Sequence, residues 1–147
     1  MGVTGRVVAI DVGARRIGLA ISDRTRTLAR PLDTIAVASE ADAIDLVVRR
    51  IAELAAEEDG IATIVVGLPS RLDGRASAAA EAIETFIGKL KERTQIPVVT
   101  EEEQLSSREA ESRLAVRERD WRKRKVRLDA AAAAVFLQDY LDRQVSS

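Results

Sequence analysis

Arg6-Val7-Val8-Ala9-Ile10-Asp11-Val12-Gly13-Ala14-Arg15-Arg16-Ile17-Gly18-Leu19-Ala20-Ile21-Ser22 is the stretch whose reading decides the fold. Arg6 to Ile10 is a short apolar run rich in branched side chains, the pattern of a strand covered on both faces. Asp11 to Arg16 reads as a turn, and Ile17 to Ser22 as a second strand. So short a connection requires an antiparallel hairpin, because a parallel pair needs a long crossover. A third strand is expected at about Arg30 to Ala36. The chain therefore opens on a three-strand meander, which a plain doubly wound sheet lacks.

Beyond the meander, helix and strand alternate. Ser39 is a candidate N-cap, with Asp42 standing in for the usual Glu of a capping box. Ile44, Val47, Val48, Ile51, Leu54 and Ala55 then fall on one helical stripe, stopped by Asp59-Gly60. Ile61 to Val66 reads as a buried fourth strand closed by Gly67-Leu68-Pro69. A helix is expected from about Ala76 to Arg93, with Ala79, Ile83, Phe86, Ile87 and Leu90 inward. Ile96 to Thr100 reads as a fifth strand, and Ser106, with Glu109, as the capping box of a helix reaching about Arg117. The final helix is expected over roughly Leu128 to Arg143. The fold class is thus α/β, a five-stranded mixed sheet flanked by helices, its later strands joined by right-handed crossovers.

The chain has 147 residues, one domain's worth, and its 46% hydrophobic but 3% aromatic composition calls for a core of Val, Ile, Leu and Ala. With no cysteine and no histidine, disulfides, thiolate catalysis, a Ser-His-Asp triad and His- or Cys-built zinc sites are excluded. Chemistry must come from carboxylates, hydroxyls, Lys, Arg, backbone groups and hard cations. No stretch approaches 18 apolar residues and no signal-peptide pattern opens the chain, so a cytoplasmic protein without membrane association is expected. A net charge of -1 gives no global reason to expect a nucleic-acid partner. Any such surface must be local.

Three acidic positions stand out. Asp11 follows a buried-looking strand and shares parity with Val7 and Ala9. A buried carboxylate needs a metal, a cation or several donors, so Asp11 reads either as a metal ligand or as a turn cap bonded to nearby amides. Asp129 is expected in the first turn of the last helix, where the helix dipole favours an anion. Its face continues through Ala133, Phe136, Leu137 and Tyr140, toward the core. Glu101-Glu102-Glu103 ends the fifth strand, either as a solvated loop or as a source of a divalent-cation ligand. Were Asp11, one of these glutamates and Asp129 to converge, they would form an oxygen-rich site suited to Mg2+ or Mn2+. Two such ions about 3.5–4 Å apart activate water and stabilise the leaving oxygen of a phosphodiester. With strand order 3-2-1-4-5, however, strand five lies two positions from strand one, about 10 Å away. Its loop would have to curl back over Gly67-Leu68-Pro69.

Residues 117–127 carry seven basic and two acidic side chains, a local charge of +5. Such a patch suits phosphate binding, and equally a solvated basic loop. Within it, Lys123, Lys125 and Arg127 are the candidate phosphate contacts, the last two nearest Asp129 in sequence. Trp121, the only tryptophan, either stacks on an unpaired base or pins the loop to the domain. Arg71, in the loop that leads to the Asp73-Gly74 turn after strand four, is a further candidate, because loops after strand carboxyl ends are favoured functional positions.

Four blocks together resemble a known family. They are Ile10-Asp11-Val12-Gly13-Ala14-Arg15-Arg16-Ile17-Gly18-Leu19-Ala20 with Ser22-Asp23, Val66-Gly67-Leu68-Pro69 with Asp73-Gly74, Glu102-Glu103-Gln104-Leu105-Ser106-Ser107 with Ala110, and Lys125-Val126-Arg127-Leu128-Asp129-Ala130-Ala131-Ala132-Ala133. In order and spacing the chain resembles the YqgF/RuvX family of pre-16S rRNA nucleases, also described as Holliday junction resolvase-like, over about residues 6 to 142. The resemblance implies a ribonuclease H-like fold and a metal-dependent nuclease maturing the 5′ end of precursor 16S rRNA in the cytoplasm. It implies Asp11, Glu103 and Asp129 as catalytic metal ligands, with Glu102 as a further candidate ligand. Arg15, Arg16, Arg71, Trp121, Lys123, Lys125 and Arg127 are expected to bind nucleic acid. The family's Asp-Glu-Arg reads Glu102-Glu103-Gln104 here, which removes a phosphate-matching cation. Cleavage of branched DNA and a catalytically silent RNA-binding assembly factor are the alternatives; an actin-like or sugar-kinase ATPase would need a second lobe. Both a monomer and a weak homodimer are compatible with the sequence.

Overall fold

Val8 pairs with Ile21 and Val12 with Ile17, so the opening stretch closes into an antiparallel hairpin of β1 (Arg6–Val12) and β2 (Arg16–Ser22). The computed structural model describes residues 5–13, 15–69, 76–103 and 121–146, with side chains excepted at 40, 69, 76–80, 102–103, 121–129 and 145–146. Along these residues follow β3 (Ala29–Ala36), α1 (Glu40–Ala55), β4 (Ile61–Pro69), α2 (Ala76–Arg93), β5 (Val98–Glu103) and α3 (Trp121–Ser146). The five strands form one sheet in the order β3-β2-β1-β4-β5. β1, β2 and β3 are the antiparallel meander, while β4 pairs parallel with both β1 and β5. This is the mixed sheet expected of a ribonuclease H-like fold.

Strand alternation divides the core into two layers. Val8, Ile10, Ile17, Leu19, Ile21, Ile64 and Val66 pack against Ala43, Ile44, Val47, Ile51 and Leu54 of α1 and Ile83, Phe86, Ile87 and Leu90 of α2. Val7, Ala9, Ala20 and Val65 face the other way, against Ala133, Phe136, Leu137 and Leu141 of α3. The alanines let α3 lie close to the sheet. Gln138 of α3 also ties the helix down: its side-chain amide nitrogen, Nε2, donates to the Thr27 carbonyl at 2.8 Å, and its Oε1 accepts from the Ala29 amide at 2.9 Å.

Ser39 caps α1 by accepting from the Asp42 amide; the helix ends at Ala55 with Ala56 as its C-cap, short of the expected Asp59-Gly60 stop, and Gly60 takes a positive φ of 60° in the turn into β4. Ala55 is exposed although it lies on the expected stripe; Leu54 carries that turn's burial. Arg6 is a buried charge inside β1. It donates to the Leu54 and Gly60 carbonyls and pairs with Glu57 at 2.8 Å, which ties the end of α1 to the start of β1.

Further boundaries differ from expectation. Asp11 and Val12 belong to β1, not to the turn, because they continue the ladder opposite Gly18 and Ile17. β4 runs on to Pro69. β5 is Val98–Glu103, so its parallel pairing with β4 draws the three glutamates into a strand despite their weak strand preference. α3 begins at Trp121, since Arg and Lys are good helix formers and no Gly or Pro interrupts them. The helix expected from Ser106 to Arg117 lies outside the described residues.

Candidate active site

Asp11 is the next-to-last residue of β1 and is half-buried. Alternation with Val7 and Ala9 gives it the parity of the face covered by α3. Its antiparallel partner is Gly18, and the β4 residue following Ile10's partner Val66 is Gly67. The carboxylate's row is therefore flanked on both sides by residues without side chains. Close by, the hairpin tightens: the Gly13 amide donates to the Arg16 carbonyl at 2.9 Å. A Cβ on Gly13 would meet that carbonyl oxygen at 2.7 Å, so only glycine fits the turn.

The same row continues into β5, where Gly67 pairs with Glu101. Glu101 thus stands two strands from Asp11, about 10 Å across the sheet, on the same parity. Its side chain is 16% exposed and is held by Arg143 of α3. Tyr140, one helical turn before, has its hydroxyl pKa raised by burial first and by the neighbouring Glu101 second, with Arg26 acting in the opposite sense. Residue type alone leaves the three glutamates alike, and the family resemblance points to Glu103 with Glu102 beside it. The register separates them. Glu102 pairs with Leu68, which packs toward the α1–α2 layer, whereas Glu103 pairs with Pro69 and occupies Asp11's parity two rows further on. From Asp11 to Glu103 the spacing is about 12 Å between backbones, two strands across and two residues along.

Asp129 lies in the third turn of α3 and not in its first, so the helix dipole does not stabilise it as expected. It is one helical turn before Ala133, in the row of Ala133, Phe136 and Leu137 that packs on β1 and β2. Residues 121–127 of the basic segment form the first two turns of the same helix, and residues 117–120 lie outside the described residues. At 100° per residue, Trp121, Lys125 and Asp129 share one side of α3, while Lys123 and Arg127 share the opposite side. Proximity in sequence had joined Lys125 with Arg127; helical periodicity parts them.

The remaining expected contacts cluster at the hairpin. Arg15 is exposed, with its carbonyl bonded by the Val37 amide at 2.9 Å, and Arg16 is half-buried opposite Ala36. Arg71 lies outside the described residues. Among the described residues no group of three or more acidic side chains could hold a metal ion. The side chains of Glu102, Glu103 and Asp129 fall outside that statement. Also among the described residues, no helix is long and apolar enough to cross a membrane.

A family model described as "RuvX: Holliday junction resolvase" matches residues 5–143. A protein of Geobacillus kaustophilus named "Putative pre-16S rRNA nuclease" is 39% identical over 137 residues, covering 93% of this chain and 97% of its own length. A protein of the same name from Roseiflexus is 37% identical over 95% of this chain and 96% of its own. Among solved structures, Thermus thermophilus RuvC in complex with a Holliday junction substrate covers 95% of this chain and 96% of its own, with a TM-score of 0.54 at 16% identity. That last likeness is one of fold. The match of family model and relatives over nearly the whole length establishes that this chain belongs to the YqgF/RuvX family.

Proposed function

We propose that this protein is a divalent-metal-dependent nuclease that hydrolyses phosphodiester bonds of precursor 16S rRNA, in maturation of its 5′ end in the cytoplasm. The observation that carries the reading is the setting of Asp11: a half-buried carboxylate at the end of the central strand, in a row flanked by Gly18 and Gly67, on the face roofed by α3. A chain with no histidine and no cysteine offers hard oxygen donors only, and that donor set fits Mg2+ or Mn2+. Asp11, Glu103 and Asp129 would hold the ion, with Glu102 on the other parity as the weaker candidate. When bound, such an ion supplies Lewis-acid stabilisation of developing charge on phosphate oxygen and lowers the pKa of water. The chain's own part is positioning. Gly67 places no side chain on β4 between the two carboxylate-bearing strands. Arg15 and Arg16 sit at the same end of the sheet as Asp11 and suit the phosphates beside the cut. Lys125, on Asp129's side of α3, suits the same strand.

A second substrate, branched DNA, is favoured by the family model's description and by the RuvC-like fold. One assay decides both matters. The purified protein is incubated with precursor 16S rRNA, single-stranded RNA and a four-way DNA junction, with Mg2+ or Mn2+ and with a chelator, beside Asp11→Asn. Cutting of the precursor that needs the metal and Asp11 is expected. Equal cutting by the variant, or cutting that a chelator leaves unchanged, overturns the mechanism. Preference for the junction transfers it to DNA. Binding of RNA without any cutting supports an assembly factor instead.

A further inference from the structure

A cleft of about 280 Å³ opens at the hairpin end of the sheet, lined by Val12, Gly13, Ile17, Ala43, Ala82 and Phe86 among others, with Ser39 at the start of α1. It lies on the α1–α2 side, the side opposite Asp11's parity. None of the carboxylates or cations of the proposed nuclease site lines it. We propose that this cleft receives one unpaired base of the nucleic-acid strand whose phosphate is placed beside Asp11. The proposal rests on the nuclease reading for the identity of the strand, and on the cleft itself for the base.

Size, chemistry and position agree on that occupant. Small-ligand pockets span roughly 300–1,000 Å³, so this cleft, at the lower limit, takes a single flat ring system and not a whole nucleotide or a helix. Its walls are aliphatic except for Phe86 and Ser39, which suits the faces of a base and repels phosphate. The rim supplies the complementary charge. Arg15 and Arg16 lie between Gly13 and Ile17, two of the lining residues, and Arg15 is exposed. Gly13 is two residues along the backbone from Asp11, about 7 Å. A strand crossing the hairpin would therefore leave its phosphate on one side, with Asp11, and turn a base into the cleft on the other. The tightness of the Gly13 turn keeps the hairpin thin enough for this. Such a pocket reads strand character, because a base within a duplex must first be unstacked to enter it.

The test is binding, measured without divalent metal, of a fluorescent unstructured oligoribonucleotide and of a series in which an abasic site is walked along it. One position in the register fixed by the strand is expected to weaken binding about tenfold when its base is removed, the loss of one stacked base. Ala82 is exposed on α2, so Ala82→Trp fills the cleft without burying new surface in the core. This variant should bind the intact strand as weakly as wild type binds the abasic one, and should no longer distinguish them. Ala82→Ser leaves the cleft open and should keep the positional signature, which separates filling from disturbance of α2. Equal sensitivity at every position, or a signature that persists in Ala82→Trp, overturns the proposal. Asp11→Asn keeps the signature if the cleft acts as proposed. A signature found in a protein that cuts nothing would retain the base site while removing the nuclease reading.

Discussion

Asp11 and Asp23 stand at opposite ends of the β1–β2 hairpin, and they solve the problem of a strand-end carboxylate in different ways. Asp23 follows β2 and is satisfied by its own turn. Its Oδ1 accepts from the Thr27 amide at 2.8 Å and the Leu28 amide at 3.1 Å, and the Thr25 hydroxyl donates to Oδ2. These donors hold its pKa down at about 2, with the Thr25 hydroxyl contributing most. The turn they stabilise is tight enough to place Arg26 at a positive φ of 57°. Asp11 instead lies inside a strand, on the parity of a helix-covered face, with glycines beside it on both neighbouring strands. An acid wrapped in local donors is a structural part of its turn. An acid set inside a strand beside glycines is placed by the sheet ladder and not by its own turn, and that placement on the α3-covered face is what distinguishes it.

Exchange of each acid for its amide isostere separates the two roles. Asp11→Asn is expected to lower nuclease activity on the order of a thousandfold, as loss of a charge that acts on the developing transition state does. Thermal unfolding of this variant should stay close to wild type, because the amide keeps the shape of the carboxylate on a half-buried strand position. A variant that loses activity only in proportion to folded protein would return Asp11 to the class of Asp23.

Gly13→Ala probes the geometry next to Asp11. The new Cβ would press on the Arg16 carbonyl oxygen, a backbone atom that cannot turn aside. Overpacking of this kind costs about 1–3 kcal/mol and lowers Tm by roughly 2–4 °C per kcal/mol in a domain of this size. Activity should fall further than stability, since the hairpin that carries Arg15 and Arg16 must open. Unchanged Tm would mean that the turn relaxes freely and that the glycine is there for another reason.

The sheet was legible in the sequence because each strand carries its own signal: a buried run, a Gly or Pro boundary, and a hairpin too short to cross over. What could not be read was where each ladder stops. Asp11 looked like a turn residue until its pairing with Gly18 was seen, and Glu101 to Glu103 looked like a loop until β4 drew them into register. Those boundaries depend on the partner strand, so local preference misplaces them. For the site, the acids themselves were legible, and their parity was not. Counting from Val99 would separate Glu102 from Glu101 and Glu103, but only once the strand is known to extend that far. The hold of Arg143 on Glu101 joins residues 42 apart, and no local pattern announces it. The start of α3 was misplaced for a different reason. The charge of residues 121–127 suggests a solvated loop, although Lys and Arg favour helix.

Asp23 provides the smaller effects. Asp23→Ala removes three hydrogen bonds from one exposed turn and is expected to cost about 1–2 kcal/mol, with activity per folded molecule unchanged. The pH dependence carries the sign of the shift. Because folding lowers the Asp23 pKa from 3.8 to about 2, the native state favours its charged form. Its contribution is therefore fully present above about pH 4 and declines as pH falls through 2. Wild type and Asp23→Asn, compared by denaturant unfolding from neutral pH downward, should differ by a constant amount until about pH 4, then converge. The comparison cancels the other carboxylates, which titrate alike in both proteins. A difference that persists undiminished near pH 2 would show that the turn is held by the side chain's shape and not by its charge, and the contrast with Asp11 would then lie in packing alone.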